Sequence, residues 1–441
     1  MAQATFKFPR GFLWGCATSS HQVEGQNTNN NWHTWQEEGQ ILNGDKPGLA
    51  CDWWGGRWRE DFDRAAESGQ NAHRLSLEWS RIQPAPDRWD EDALDHYREM
   101  VRGLTNRGMT PIVTLHHFTD PKWIAEKGGW EQKETVEHFI PYVEKVVEAL
   151  GDYVKLWCTI NEPNVYATLG YLTGQFPPGK EDLGTMFRVM VNLVRGHAAA
   201  YHAIHRVQLE SRAGLAVNYR GVEPARKWHP LDRLMAWLQS KTYNDFFPTA
   251  ARSGRLRFPH KITTVPEAKG TQDFLGINYY TQERVAFSLQ HAEEQYSHRT
   301  YNPDSQLSEK GFIAHEPEGM FRALKWGEGF GVPILITENG IEDSVDKIRP
   351  QYIAEHIHQV WKGINHNWPI KGYFHWTLVD NFEWERGWSQ RFGLYELDPD
   401  TQARTRRKSA DLYEEICRKN ELSSEMVETH APQSSAKLFP G

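Results

Sequence analysis

The chain has 441 residues and a net charge of −8, spread without long blocks, so nothing in it favours nucleic acid or an anionic membrane surface. No apolar run reaches membrane-spanning length. The four cysteines (Cys16, Cys51, Cys158 and Cys417) have no metal-ligand spacing and read as free thiols of a cytoplasmic protein, consistent with an N-terminal stretch that lacks an apolar leader. The 19 tryptophans raise the suspicion of a carbohydrate site, although packing accounts for most of a large aromatic complement.

In chain order, one pattern recurs: an apolar strand, polar residues at its C-terminal end, then a helix. The first strand is Phe12 to Thr18, followed by Ser19-Ser20-His21-Gln22-Val23-Glu24-Gly25 and an Asn-rich loop. A helix bearing Trp58 and Phe62 ends near Gly69. The second strand is Asn71 to Trp79. The next helix, Asp90 to Gly108, places Leu94, Tyr97, Val101 and Leu104 on one face. The third strand, Pro111 to Phe118, ends in His116-His117 and precedes a helix over about Lys133 to Gly151. The fourth strand, from Leu156, ends in Asn161-Glu162-Pro163, where Pro163 keeps Glu162 out of the right-handed helical region. Helical patterns follow over about Asp182 to Glu210 and Pro230 to Ser253. Between them lies the fifth strand, Ala213 to Tyr219.

The sixth strand is Asp273 to Tyr280, with a helix near Glu318 to Gly329. The seventh is Ile334-Leu335-Ile336-Thr337-Glu338-Asn339-Gly340, where Gly340 permits a sharp turn. A helix over Pro350 to Asn365 leads to the eighth strand, Ile370 to Asn381, and a last helix spans Lys408 to Lys419. The strands are near-continuously apolar, as strands buried on both faces are. Eight such units predict an α/β fold of the (β/α)8 TIM-barrel type, one domain over residues 1–421. Residues 422–441 form a polar, patternless tail with no expected fold role. Strand C-terminal ends converge at the mouth of such a barrel, so Glu162 and Glu338 face each other there. Two facing carboxylates suit glycosidic bond cleavage: about 5–5.5 Å between them gives retention, and roughly 6.5–9.5 Å leaves room for a water and gives inversion.

Three motifs carry a family likeness over about Phe8 to Lys419. Phe12-Leu13-Trp14-Gly15-Cys16-Ala17-Thr18-Ser19-Ser20-His21-Gln22-Val23-Glu24-Gly25, Thr159-Ile160-Asn161-Glu162-Pro163 and Ile336-Thr337-Glu338-Asn339-Gly340 occur in order at fitting strands. The chain resembles glycoside hydrolase family 1, of the β-glucosidase type. The resemblance implies that Glu338 is the nucleophile of a retaining double displacement and Glu162 the acid/base. It implies that Arg74 and Tyr280 hold the nucleophile. Asn161 and Asn278 lie near the sugar 2-hydroxyl, Gln22, His117, Glu383 and Trp384 grip the other glycone hydroxyls, and Trp376 is the aromatic floor. It also implies a cis peptide at Trp376–Thr377 and neither cofactor nor metal.

Relatives acting on 6-phosphorylated sugars hold the phosphate with Ser, Lys and Tyr where this chain has Glu383, Gln390 and Phe392, so an unphosphorylated glycone is implied. The expected substrates are small β-glucosides, including cello-oligosaccharides, with β-fucosidase, β-galactosidase and transglycosylation activities on the same scaffold. Phe118 and Phe312 stand where relatives usually carry Trp, and Glu342 where a small residue is usual. Phe312 is therefore an aglycone-side candidate, and Asn218, at the end of the fifth strand, is another. A different class, a catalytically dead sugar-binding barrel, would require the loss of a carboxylate, and both are present. His116 should point away from His117 on a strand, and His197, His202, His205, His356 and His358 lack a metal-ligand pattern.

Overall fold

The computed structural model describes residues 4–258, 262–291 and 296–440. Eight parallel strands close into a barrel: β1 (Leu13–Ala17), β2 (Ala72–Ser76), β3 (Thr110–His116), β4 (Leu156–Asn161), β5 (Arg212–Asn218), β6 (Phe274–Asn278), β7 (Ile334–Asn339) and β8 (Ile370–His375). β8 pairs with β1 through Gly372↔Leu13 to His375↔Cys16, which closes the ring. The expected fold class therefore holds.

Helices alternate with the strands: α1 (Trp58–Glu67), α2 (Glu91–Asn106), α3 (Glu134–Leu150), α4 (Leu183–Val207), α5 (Phe246–Ser253), α6 (Pro317–Glu328), α7 (Arg349–Asn365) and α8 (Lys408–Lys419). The local chemistry of α2 is as the sequence suggests. Asp90 caps it by accepting from the Ala93 N–H at 2.9 Å, and Gly108 follows it at φ 74°. Its face of Leu94, Tyr97, Val101 and Leu104 is buried. Most tryptophans serve packing: Trp14, Trp53, Trp79, Trp130 and Trp157 are core.

Four expectations need correction. The second strand stops at Ser76, because Trp79–Ile82 turns into a short helix. The eighth stops at His375, and its continuation instead forms the loop carrying Glu383 and Trp384. The Pro230–Ser253 stretch is not one helix but Pro230–Gln239, a π-turn at Ser240–Asn244 and α5. The tail does have a fold role. Glu421–Ser423 pairs antiparallel with Thr5–Lys7, and Ser424–His430 forms a capped helix. Leu422, Met426, Val427 and Leu438 are buried there.

Candidate active site

The site is built at the C-terminal rim of the barrel, where strand ends present side chains on rigid backbone. Glu338, near the end of β7, pairs with Asn278 of β6, just past a shift of register between Ile277 and Asn278. Both its oxygens are held. Arg74 of β2 donates from Nη1 to Oε1 at 2.6 Å, and the Tyr280 hydroxyl donates to Oε2 at 2.6 Å. Arg74 is itself fixed, donating from Nε to Thr114 Oγ1 at 3.1 Å and from Nη2 to Asn161 Oδ1 at 2.6 Å. Burial holds the Glu338 carboxyl above its ordinary value, and the Arg74 cation and the Tyr280 hydroxyl offset only part of that rise.

Gly340 follows at a negative φ; the reason for glycine is close approach rather than a left-handed turn. A Cβ there would lie 2.0 Å from the Trp376 carbonyl oxygen. The Trp376–Thr377 peptide is cis, as expected.

Glu162 follows β4. Pro163 excludes the right-handed region, and Glu162 takes the left-handed one, φ 43° and ψ 54°, rather than extending the strand. Such a conformation in a non-glycine residue costs of order 1–3 kcal/mol and gathers at functional sites. Its partners are neutral: Asn218 and Asn278 each donate from Nδ2 to Oε1 at 2.9 Å. Burial, and then the charge of Glu338, push its carboxyl up to about 8. Both amides take the same oxygen, so the other can carry a transferable proton.

Around these two, His117, Asn218, Tyr280, Trp376, Glu383, Trp384 and Phe312 line one pocket with Glu162 and Glu338. Gln22, Arg74, Asn161 and Asn278 lie behind that lining, fully buried. Gln22 donates from Nε2 to Glu383 Oε2 at 3.0 Å. Asn161 Oδ1 accepts from Arg74 and Asn278, so its Nδ2 donates to His117 Nε2 at 3.0 Å. That leaves the His117 proton on Nδ1, and burial and Arg74 hold the ring neutral. The ring stacks near Trp384 and Trp376, with centroids at 5.8 and 6.2 Å. Burial and the carboxylates of Glu385 and Glu338 push the Glu383 carboxyl well up.

His116 points away from the pocket to Asp120 Oδ1 at 3.0 Å. His197 is taken by Thr159 Oγ1 at 2.6 Å.

The Tyr280 contact has a measurable consequence. Tyr280→Phe removes a donor that favours ionised Glu338, so the acidic limb of kcat/KM is expected to move to higher pH; an unmoved limb would show that the hydroxyl does not tune the carboxylate.

A chain of eight parallel strands with two carboxylates so placed matches the model of "Glycosyl hydrolase family 1" over residues 4–422. The chain belongs to glycosyl hydrolase family 1. It is similar to Beta-glucosidase A of Thermotoga maritima, 34% identical with 94% of this chain and 99% of that protein covered. It is 30% identical to a Beta-galactosidase of Pyrococcus woesei, covering 96% and 99%. Its backbone is close to a solved beta-glycosidase from Pyrococcus horikoshii: TM-score 0.90, 37% identity, with 97% and 98% covered.

Within this family member, sequence reasoning missed several groups at the pocket. Asn218, named from the sequence as an aglycone-side candidate, is not among them; it donates to Glu162. Arg220, Tyr243, Glu283, Tyr301, Glu385 and Arg386 also line the wall. Arg220 and Glu283 stand shortly after barrel strands and Glu385 and Arg386 beside Trp384, whereas Tyr243 lies in the Ser240–Asn244 turn, with no such signal.

Proposed function

We propose that the chain is a retaining β-glucosidase with Glu338 as nucleophile and Glu162 as acid/base. The observation that carries this is the unequal treatment of the two carboxylates. Glu338 has a guanidinium and a phenol on its oxygens, which favour the anion, whereas Glu162 has only two amides on one oxygen. In the first step Glu338 bonds to the anomeric carbon, the bond to the aglycone oxygen breaks, and Glu162 delivers its proton to that oxygen. In the second, Glu162 takes a proton from water as the water displaces Glu338.

Gln22, His117, Glu383 and Trp384 fit the glycone grip, Asn161 and Asn278 the 2-hydroxyl side, and Trp376 the floor. The crowding of Glu383 by the carboxylates of Glu385, Glu338 and Glu162 supports a neutral glycone over a phosphorylated one. The four free, buried thiols support a reducing, cytoplasmic setting.

The test is a panel of 4-nitrophenyl β-D-glucoside, -galactoside and -fucoside and of cello-oligosaccharides, with the anomer first formed read by NMR. Highest kcat/KM on the glucoside with β-product first is the expected result. α-Product first would overturn retention, and a dominant galactoside rate would favour a β-galactosidase. Added sugar acceptors would reveal transglycosylation as longer products.

A further inference from the structure

The outer pocket wall holds a charged pair that the chemistry above leaves unused. Arg220 follows β5 directly, and its guanidinium lies over the Tyr243 ring, 5.1 Å from the centroid. Its nearest carboxylate is Glu283, with Nε to Oε2 at 3.8 Å, beyond hydrogen-bond distance. Glu283 Oε2 is buried and has no hydrogen-bond partner among the described residues. Both residues line the pocket, and the pair therefore brings a cation and a carboxylate to one wall with no hydrogen bond between them. A buried carboxylate oxygen without a partner, such as Glu283 Oε2, is the kind of group that a water or a ligand completes.

Both ends are rigidly mounted. The Arg220 backbone N–H donates to Asn244 Oδ1 at 3.0 Å, and its carbonyl accepts from Asn244 Nδ2 at 2.9 Å. Glu283 sits on Gln282–Phe287, whose pairing to Gly221–Pro224 sets Glu283 opposite Val222, two residues beyond Arg220.

The pair also lies on the leaving-group side. The Tyr243 hydroxyl donates to Asn218 Oδ1 at 3.3 Å, and Asn218 donates to Glu162. The acid protonates the departing oxygen, so what departs lies outward from Glu162, along this line of side chains.

A sugar hydroxyl is at once donor and acceptor. It can accept from the guanidinium and donate to the carboxylate, with the two charges offsetting each other. An anionic aglycone would meet Glu283 as well as Arg220. We propose that Arg220 and Glu283 together bind hydroxyls of a second sugar residue, so that they set a preference for β-linked glucose disaccharides and longer chains over aryl glucosides. This rests on the proposed β-glucosidase reading.

The test measures kcat/KM for cellobiose, 4-nitrophenyl β-D-glucoside and the β-glucoside of 4-hydroxybenzoate with wild type, Arg220→Met and Glu283→Met. Each variant is expected to lower the cellobiose-to-nitrophenyl ratio about 10- to 100-fold, the scale of a hydrogen bond to a charged group. Arg220→Lys, which keeps the charge, is expected to restore part of the ratio. If Arg220→Met fails to fold, Arg220→Lys and Glu283→Met carry the reading: a ratio below wild type in both supports the pair. A ratio unchanged from wild type, or an equal fall on all substrates, overturns the proposal. A selective loss on the 4-hydroxybenzoate glucoside overturns it in favour of an anion site. Wild type turning over no β-glucoside sinks the underlying function as well, whereas an active enzyme with a flat ratio sinks this inference alone.

Discussion

Glu338→Gly is expected to lower kcat/KM on 4-nitrophenyl β-D-glucoside by roughly 10⁵-fold or more, the scale seen when a covalent nucleophile is removed from a hydrolase. The loss follows from the geometry. Among the described residues no other carboxylate is held by the Arg74 guanidinium and the Tyr280 hydroxyl together, so none of them replaces it at the anomeric carbon. Deleting the side chain opens a space beside that cation, and a small anion such as azide or formate can fill it. Azide entering there attacks from the face opposite the aglycone. The expected product is α-glucosyl azide, released with Glu162 still supplying the proton. Substantial hydrolysis without added anion, or a β-azide, would sink the assignment of Glu338.

Glu162→Gln separates the second role. With a leaving group that needs a proton, the glycosylation step is expected to slow about 10²- to 10⁴-fold. An activated nitrophenolate, which leaves without help, should suffer much less in that step. The pH profile changes with it. Glu162 must be protonated to act first as acid, and its carboxyl is held up at about 8, so kcat/KM of the wild type should fall as pH rises through about 8. That limb should vanish in the variant.

Stability supplies an independent reading of the same group. The folded carboxyl ionises near 8 and the unfolded one near 4.5, so the unfolded state releases its proton first. Native stability therefore declines as pH rises from about 4.5 to about 8, and glutamine escapes this. Thermal melts should show the variant gaining on wild type across that window and matching it below. A constant Tm difference from pH 4 to 8 would contradict the raised carboxyl.

Much of this was legible before any coordinates. Near-continuous apolar strands separated by amphipathic helices specify a parallel sheet covered on both faces, and the count of eight such units predicts its closure into a barrel. Two of the motifs carry Glu162 and Glu338, the family likeness added Arg74 and Tyr280, and the structure puts the last two on the Glu338 carboxylate. What escaped was decided by tertiary geometry. Strand two reads as apolar through Leu77 and Trp79, yet hydrogen bonding turns the chain at Glu78, where the backbone N–H donates to the Tyr97 hydroxyl at 3.0 Å. Asn218 reads as one strand-end amide among several, and which carboxylate it meets depends on barrel twist and on register shifts such as that at Asn278. Arg220 and Glu283 lie 63 positions apart and meet only because two short strands outside the barrel pair. The tail reads as polar because its buried residues, Leu422, Met426, Val427 and Leu438, are too sparse to form a periodic stripe.

That tail has a bearing on how the protein is made. Thr5–Lys7 is joined to Glu421–Ser423, and β1 needs β8 before its second edge is covered. During synthesis the first strand emerges long before either partner exists. Its open edge must wait until nearly the whole chain has left the ribosome, a contact of very long sequence separation and so a slow one to form. The nascent chain is thus exposed to mispairing at β1 for most of its translation. Chaperone demand during expression should therefore track residues 5–17 and 421–423 more closely than the catalytic mouth.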